Sequence, residues 1–179
     1  MTPKFTSKEI HFLKTDSEQS EFQPPESYFS DLLLTKPSLF RTFNKNFKAI
    51  LLPEESFLCA ALYLTAQEPD DAQENAEKIF ESAFKKLIRD DQGIWKSLDG
   101  TAFILGLRGY ENEEQAANII SRLKESLSKS LCFDVLIGTA MFPCQNCSKT
   151  KIPANALKAL DHAAFFGAGA LVSFDALSL

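Results

Sequence analysis

The chain has 179 residues, of which 45% are hydrophobic, with a formal charge of −5 and a pI near 5.1. That length supports one well-buried core and is short for two domains. The acidic balance excludes a nucleic-acid or anionic-membrane surface built from clustered Lys and Arg. The N-terminus has no secretory apolar region and no window approaches the roughly 20 apolar residues that span a bilayer, so a cytoplasmic chain without membrane insertion is expected.

Residues 1–26 are polar, mix charges with Ser, Thr and Gln, and end in Pro24-Pro25, the composition of a flexible arm or linker. Residues 27–179 are expected to form one domain. From Tyr28 to Leu52, Phe29, Leu32, Leu33, Leu39, Phe40, Phe43, Phe47 and Ile50 recur at helical spacing, and Pro37 divides the run. A short helix, a break and a longer amphipathic helix follow from that pattern. Phe40, Phe43 and Phe47 are read as core residues; the alternative is a surface for a partner or a second copy of the chain, beside Lys45 and Lys48.

Phe57–Thr65 is a nearly continuous apolar run of strand length, as in a central strand covered on both faces. The acids of Glu68–Glu74 bring the chain to the surface in a loop, and residues 75–89 place Ala76, Ile79, Phe80, Ala83, Phe84 and Leu87 on one helical stripe. A hairpin of about Ile94–Leu98 and Ala102–Leu107 turns at Asp99-Gly100, both residue types that tolerate positive φ. Trp95 is read as a core or edge residue. Glu111–Leu131 is a second amphipathic helix, Cys132–Phe142 a strand, Ala154–Phe166 a third core helix closed by Gly167-Ala168-Gly169, and Ala170–Phe174 a last short strand. The order predicts an α/β (α+β) fold, with a βαββαβ unit inside a longer frame.

That order and three local phrases resemble the GGDEF domain of bacterial diguanylate cyclases, which convert two GTP molecules to cyclic di-GMP. The phrases are Leu98-Asp99-Gly100-Thr101-Ala102-Phe103-Ile104-Leu105, Val135-Leu136-Ile137-Gly138-Thr139-Ala140-Met141-Phe142-Pro143, and Ala156-Leu157-Lys158-Ala159-Leu160-Asp161-His162-Ala163-Ala164-Phe165-Phe166. They are similar to the family's Gly-Gly-Asp/Glu-Glu-Phe hairpin, its Val-Ser-Ile-Gly-Ile-Ala strand and its late helix. The resemblance covers about residues 30–175. It implies a nucleotidyl cyclase-like fold with a central, mostly antiparallel sheet of about five strands and flanking helices.

The resemblance also implies a site, and most of its chemistry fails to carry over. Thr101 stands where the family has its magnesium carboxylate, Ala102 where it has a second acid, and Asp99 where a glycine lets the backbone approach the nucleotide. Magnesium needs anionic oxygens, which neither Thr101 nor Ala102 supplies. Only Gly100 and Phe103 match. The family's Asp-x-Asp falls near Thr65-Ala66-Gln67, so Thr65, Gln67 and Gly100 are the nucleotide-proximal candidates; Glu68, Asp70 and Asp71 follow and are read as a solvated acidic loop. Ala76-Glu77 takes the place of the family's Gly-Asp, Ala168 that of its phosphate lysine, and Asp90 and Gly93 that of its inhibitory Arg-x-x-Asp, with Arg89 one residue out of register.

Cys144-Gln-Asn-Cys147 has the spacing of half a zinc knuckle or a redox pair, but no second pair completes a zinc set, and incidental loop cysteines are the expectation. Cys59 and Cys132 sit in apolar runs as small hydrophobes. His162, beside Asp161, has no nucleophile placed with it by any motif and is read as a helix-surface histidine.

The expectation is a degenerate, catalytically inactive GGDEF-like domain acting as a regulatory or interaction module, with no resident cofactor. Its partners would be other domains of a larger signalling protein, a separate protein, a second copy, GTP or cyclic di-GMP. The alternative is a diguanylate cyclase with residual activity, for which Mg²⁺ would be required. The abrupt ending at Leu179 suggests a fragment of a larger protein.

Overall fold

A computed structural model describes residues 27–66, 69–131, 133–144, 147–167 and 169–177. The expected arm, Gln67, Glu68, Cys132 and Ala168 lie outside the described residues.

The apolar run after residue 56 forms β1 (Phe57–Ala66), whose two faces both meet core. Phe57, Cys59, Ala61 and Tyr63 join one hydrophobic cluster, and Leu58, Ala60, Leu62 and Leu64 the other. This follows from the two-residue period of a strand, and explains why β1 reads as continuously apolar. It pairs antiparallel with β3 (Ala102–Leu107) on one side and β4 (Phe133–Phe142) on the other. β2 (Gly93–Asp99) adds antiparallel to β3, and β5 (Leu171–Ser173) adds parallel to β4, giving the order β2-β3-β1-β4-β5.

Before β1 come α1 (Leu32–Thr35) and α2 (Pro37–Ile50), the latter opening with Pro37 in its first turn, where the missing N–H costs nothing. Phe40, Phe43 and Phe47 of α2 are buried, as the core reading expects, and pack with α5 (Ile152–Phe166) under one face of the sheet. α3 (Pro69–Leu87) and α4 (Glu113–Leu131) cover the other face. There Phe103 stacks on Phe80 with ring centroids 4.4 Å apart, and half-buried Trp95 leans on both rings. The βαββαβ order of the sequence reading is therefore present as β1-α3-β2-β3-α4-β4.

Three helix starts differ from expectation, and the last strand is shorter than expected, Leu171–Ser173, with Phe174 opening a 3-10 helix. α3 begins at Pro69, so Asp70 and Asp71 lie in its first turn and not in a loop; proline presets the helical φ. α4 starts at Glu113, and α5 starts at Ile152, two residues ahead of the expected start. α5 stops at Phe166, and Gly167 and Gly169 then take positive φ, 99° and 74°, as expected of a glycine breaker.

At Gly138 in β4 the backbone of α5 comes so close that a Cβ would collide with Ala156 O and Leu160 N. Among the described residues, no helix is long and apolar enough to cross a membrane.

Candidate functional site

The tip of the β2–β3 hairpin and the C-terminal end of β1 lie side by side. Tyr63 is opposite Ala102, and Leu64 N–H donates to Thr101 O at 2.9 Å, which brings Thr65 to the level of Gly100. The turn itself is Gly100-Thr101, with Gly100 at φ 57°. Asp99 belongs to the strand, opposite Ala102, because the register shifts between Ser97 and Asp99. The expectation of a positive φ at Asp99 is thus corrected by one residue: among the described non-glycine residues only Glu54 has positive φ.

Asp99 is held from the N-terminal side. Tyr28 Oη donates to its Oδ2 at 3.2 Å, and Lys36 Nζ lies 3.8 Å from its Oδ1 while donating to Leu98 O at 2.5 Å. Thr101 and Ala102 are 4% and 1% exposed, so the two positions expected to replace the metal acids are packed inside. Thr65 is also buried, and its Oγ1 donates to Asp134 O at 3.1 Å. Phe103 belongs to the aromatic stack beneath α3. Gln67 lies outside the described residues.

A second carboxylate, which sequence reasoning passed over, anchors the same segment. Asp161 on α5 is buried and accepts from Phe29 N–H at 2.7 Å, Ser30 N–H at 3.2 Å and Ser30 Oγ at 2.6 Å. Burial pushes its carboxyl up to about 6, against the opposing pull of the Ser30 and Phe29 donors. A buried acid among alanines on a helix face was the available signal, since such a group needs partners. His162 next to it is exposed, in line with the surface reading.

The described side chains at the tip do not fit magnesium. That ion prefers octahedral oxygen ligands including carboxylates, and the tip offers a packed threonine, an alanine and an Asp99 already engaged by Tyr28 and Lys36. Among the described residues no group of three or more His, Cys, Asp or Glu is arranged to hold a metal. The positions that the resemblance aligns with an inhibitory Arg-x-x-Asp have other surroundings. Arg89 pairs with Asp91 at 3.3 Å on the surface, and a Cβ at Gly93 would stand 2.6 Å from Gly106 O, which leaves no room for an aspartate.

Cys144 and Cys147 are joined as a disulfide, with Cα atoms 5.9 Å apart, so in this state they offer no thiolate to a metal. Cys59 is free and fully buried, and desolvation pushes its thiol far up. After reduction with dithiothreitol, iodoacetamide and peptide mass mapping are expected to label Cys144 and Cys147 and to spare Cys59. Comparable labelling of Cys59 would show that β1 opens in the native state.

The arrangement defines a class: a five-stranded nucleotidyl cyclase-like sheet flanked by helices, the fold of GGDEF domains. The solved structures it resembles are of that kind. The active GGEEF domain of a diguanylate cyclase from Vibrio cholerae aligns at TM-score 0.62 and 14% identity over 77% of this chain and 95% of that one. The diguanylate cyclase SiaD from Pseudomonas aeruginosa, in complex with its activator SiaC, aligns at TM-score 0.59 and 13% identity, covering 93% of this chain and 66% of that one. A microbial GGDEF domain that interacts with cyclic di-GMP aligns at TM-score 0.54 and 15% identity over 77% of this chain and 92% of that one. No protein-family model and no curated protein sequence matches the chain.

Proposed function

We propose that this chain is a catalytically inactive GGDEF-like domain serving as a regulatory or protein-interaction module in bacterial signalling of the cyclic di-GMP type. One observation carries the reading. Where the Vibrio cholerae neighbour is described by its GGEEF signature, this chain has Asp99-Gly100-Thr101-Ala102-Phe103, with Thr101 and Ala102 packed inside. Phosphoryl transfer from GTP depends on metal charge to offset the phosphates, and a hydroxyl and a methyl do not recruit it. SiaD, seen bound to an activator protein, supports a protein as the partner class.

Incubation with GTP and magnesium or manganese, followed by chromatography, is the test. The expected result is no cyclic di-GMP and no pyrophosphate above a blank lacking protein. Product formation at any protein-dependent rate would replace this reading with a cyclase that draws its ligands from Glu68, Asp70 and Asp71.

A second reading, a receptor that binds GTP or cyclic di-GMP without turnover, is supported by the neighbour that interacts with cyclic di-GMP and by the open space around Gly100, where an added Cβ would meet nothing within 4 Å. Calorimetry with each nucleotide tests it, and no heat at high micromolar ligand would remove it.

A further inference from the structure

At the other end of the sheet, a cleft of about 390 Å³ opens between the C-terminal half of α2, the chain that enters β1, and the turn before α5. Its distance from the hairpin tip is the run of β1 from Phe57 to Thr65, roughly 25 Å at about 3.3 Å per residue. Phe47 and Phe57 form its floor, ring centroids 5.3 Å apart and edge to face, and Phe57 stacks in turn on Phe142 at 5.3 Å. Leu51 and Leu52 form a wall, and Leu52 is 58% exposed.

The wall is fixed by polar contacts. Leu52 N–H donates to Glu55 Oε1 at 3.1 Å, and Arg108 grips the same carboxylate with Nε at 2.6 Å and Nη2 at 2.8 Å. That bidentate pair lowers the pKa of the Glu55 carboxyl from its ordinary value. The cleft is therefore a built feature of the fold.

Lys48 on α2 and Lys149 on the opposite bank both line it, and Lys149 Nζ lies 5.2 Å from the centre of the Phe142 ring. Neither lysine forms an ion pair with a described carboxylate, in a chain whose net charge is −5. An apolar floor with two ammonium groups that no described carboxylate pairs complements a ligand with a hydrocarbon body and an anionic head. The volume lies near the lower end of the range for small-molecule sites, roughly 300–1,000 Å³, which favours a single short chain over a two-chain lipid.

We infer that this cleft, lined by Lys48 and Lys149 as well as by Phe47 and Phe57, binds a small amphipathic carboxylate of the medium-chain fatty acid type. The inference does not depend on the proposed function, because no residue of the hairpin tip takes part.

The test uses the full chain with 8-anilinonaphthalene-1-sulfonate as fluorescent reporter and decanoate as competitor. Decanoate is expected to displace the reporter saturably below about 1 mM, and decanol, with the same chain and no charge, at least about tenfold more weakly. Lys48→Met with Lys149→Met keeps the apolar stems and should weaken decanoate by about tenfold with an unchanged urea midpoint. Leu52→Asp, at an exposed position, should weaken it as well. Phe165→Ser with Phe166→Ser removes the exposed aromatic pair at the end of α5 and should leave binding as it is. The inference is overturned if decanoate does not bind, if decanol binds as well, if the lysine variant binds like the parent, or if binding is lost with Phe165 and Phe166.

Discussion

Asp161→Ala is expected to cost about 3 kcal/mol of stability at neutral pH, because two backbone donors and a hydroxyl lose their acceptor, and each buried donor left unpaired costs about 1–3 kcal/mol. For a chain of this size that is a fall of roughly 10 °C in Tm. Phe29 N–H is the group most exposed to the loss, since its hydrogen bond to Oδ1 is buried and spans 132 residues of sequence. Ser30→Ala removes only the hydroxyl and should cost about 1 kcal/mol. A urea titration of the three proteins checks the order, and an Asp161→Ala midpoint equal to that of the parent would mean that water takes the carboxylate's place without penalty.

The same residue gives a pH dependence with a definite sign. Its native carboxyl is raised to about 6 from an ordinary value of 3.8, so the folded state holds a proton that the unfolded state has released. The stability this contributes is complete below 3.8 and is lost as pH rises through about 6. The difference in unfolding free energy between the parent and Asp161→Asn, which has no titrating group, should therefore move against the parent between pH 4 and 6. A difference that is flat across that window would mean that the three donors cancel the effect of burial.

Gly138→Ala is expected to have an effect of comparable size by a different route. The new methyl would overlap backbone atoms of Ala156 and Leu160, and backbone cannot swing aside as a flexible side chain does. Either α5 lifts from β4 or the strand bends, and overpacking of this kind costs about 1–3 kcal/mol, sometimes more. Because Asp161 rides on α5, movement of the helix would also disturb the contacts of Phe29 and Ser30. Amide hydrogen exchange should show faster exchange at Phe29 in Gly138→Ala than in Gly106→Ala, where the atoms nearest the added methyl belong to the Phe47 ring and not to backbone. Equal protection in the two variants would show that α5 and the N-terminal segment are not mechanically joined.

Local patterning carries much of this architecture, as β1 and α2 illustrate. Phe57–Leu64 is apolar or aromatic at every step because both faces of β1 are covered, and Phe40, Phe43 and Phe47 recur at helical spacing because one stripe of α2 is buried. What was not legible depends on partners far away in the sequence. The turn lies one residue later than expected because Asp99 is drawn into the strand register, where it meets Tyr28 and Lys36, 71 and 63 residues before it. Acids after β1 read as a loop, although Pro69 starts a helix there. The three residues of β5 are too few for any period to declare itself.

The candidate site divides along the same line. The replacement of acids by Thr101 and Ala102 is visible in the bare sequence, whereas their burial is not, and Asp161 gains meaning only from backbone N–H groups about 130 residues away. A sequence names its side chains but is silent about which backbone donors the fold leaves in need.

The short run Ser27–Asp31 is moored at two points, to the β2–β3 hairpin through Tyr28 and to α5 through Phe29 and Ser30. Tension applied to the chain ahead of Ser27 would load both moorings in parallel, on adjacent residues, so neither could yield without straining the other. A tug of a few ångströms at one end of the domain would thus reach the hairpin tip and the last helix together, as a single mechanical event.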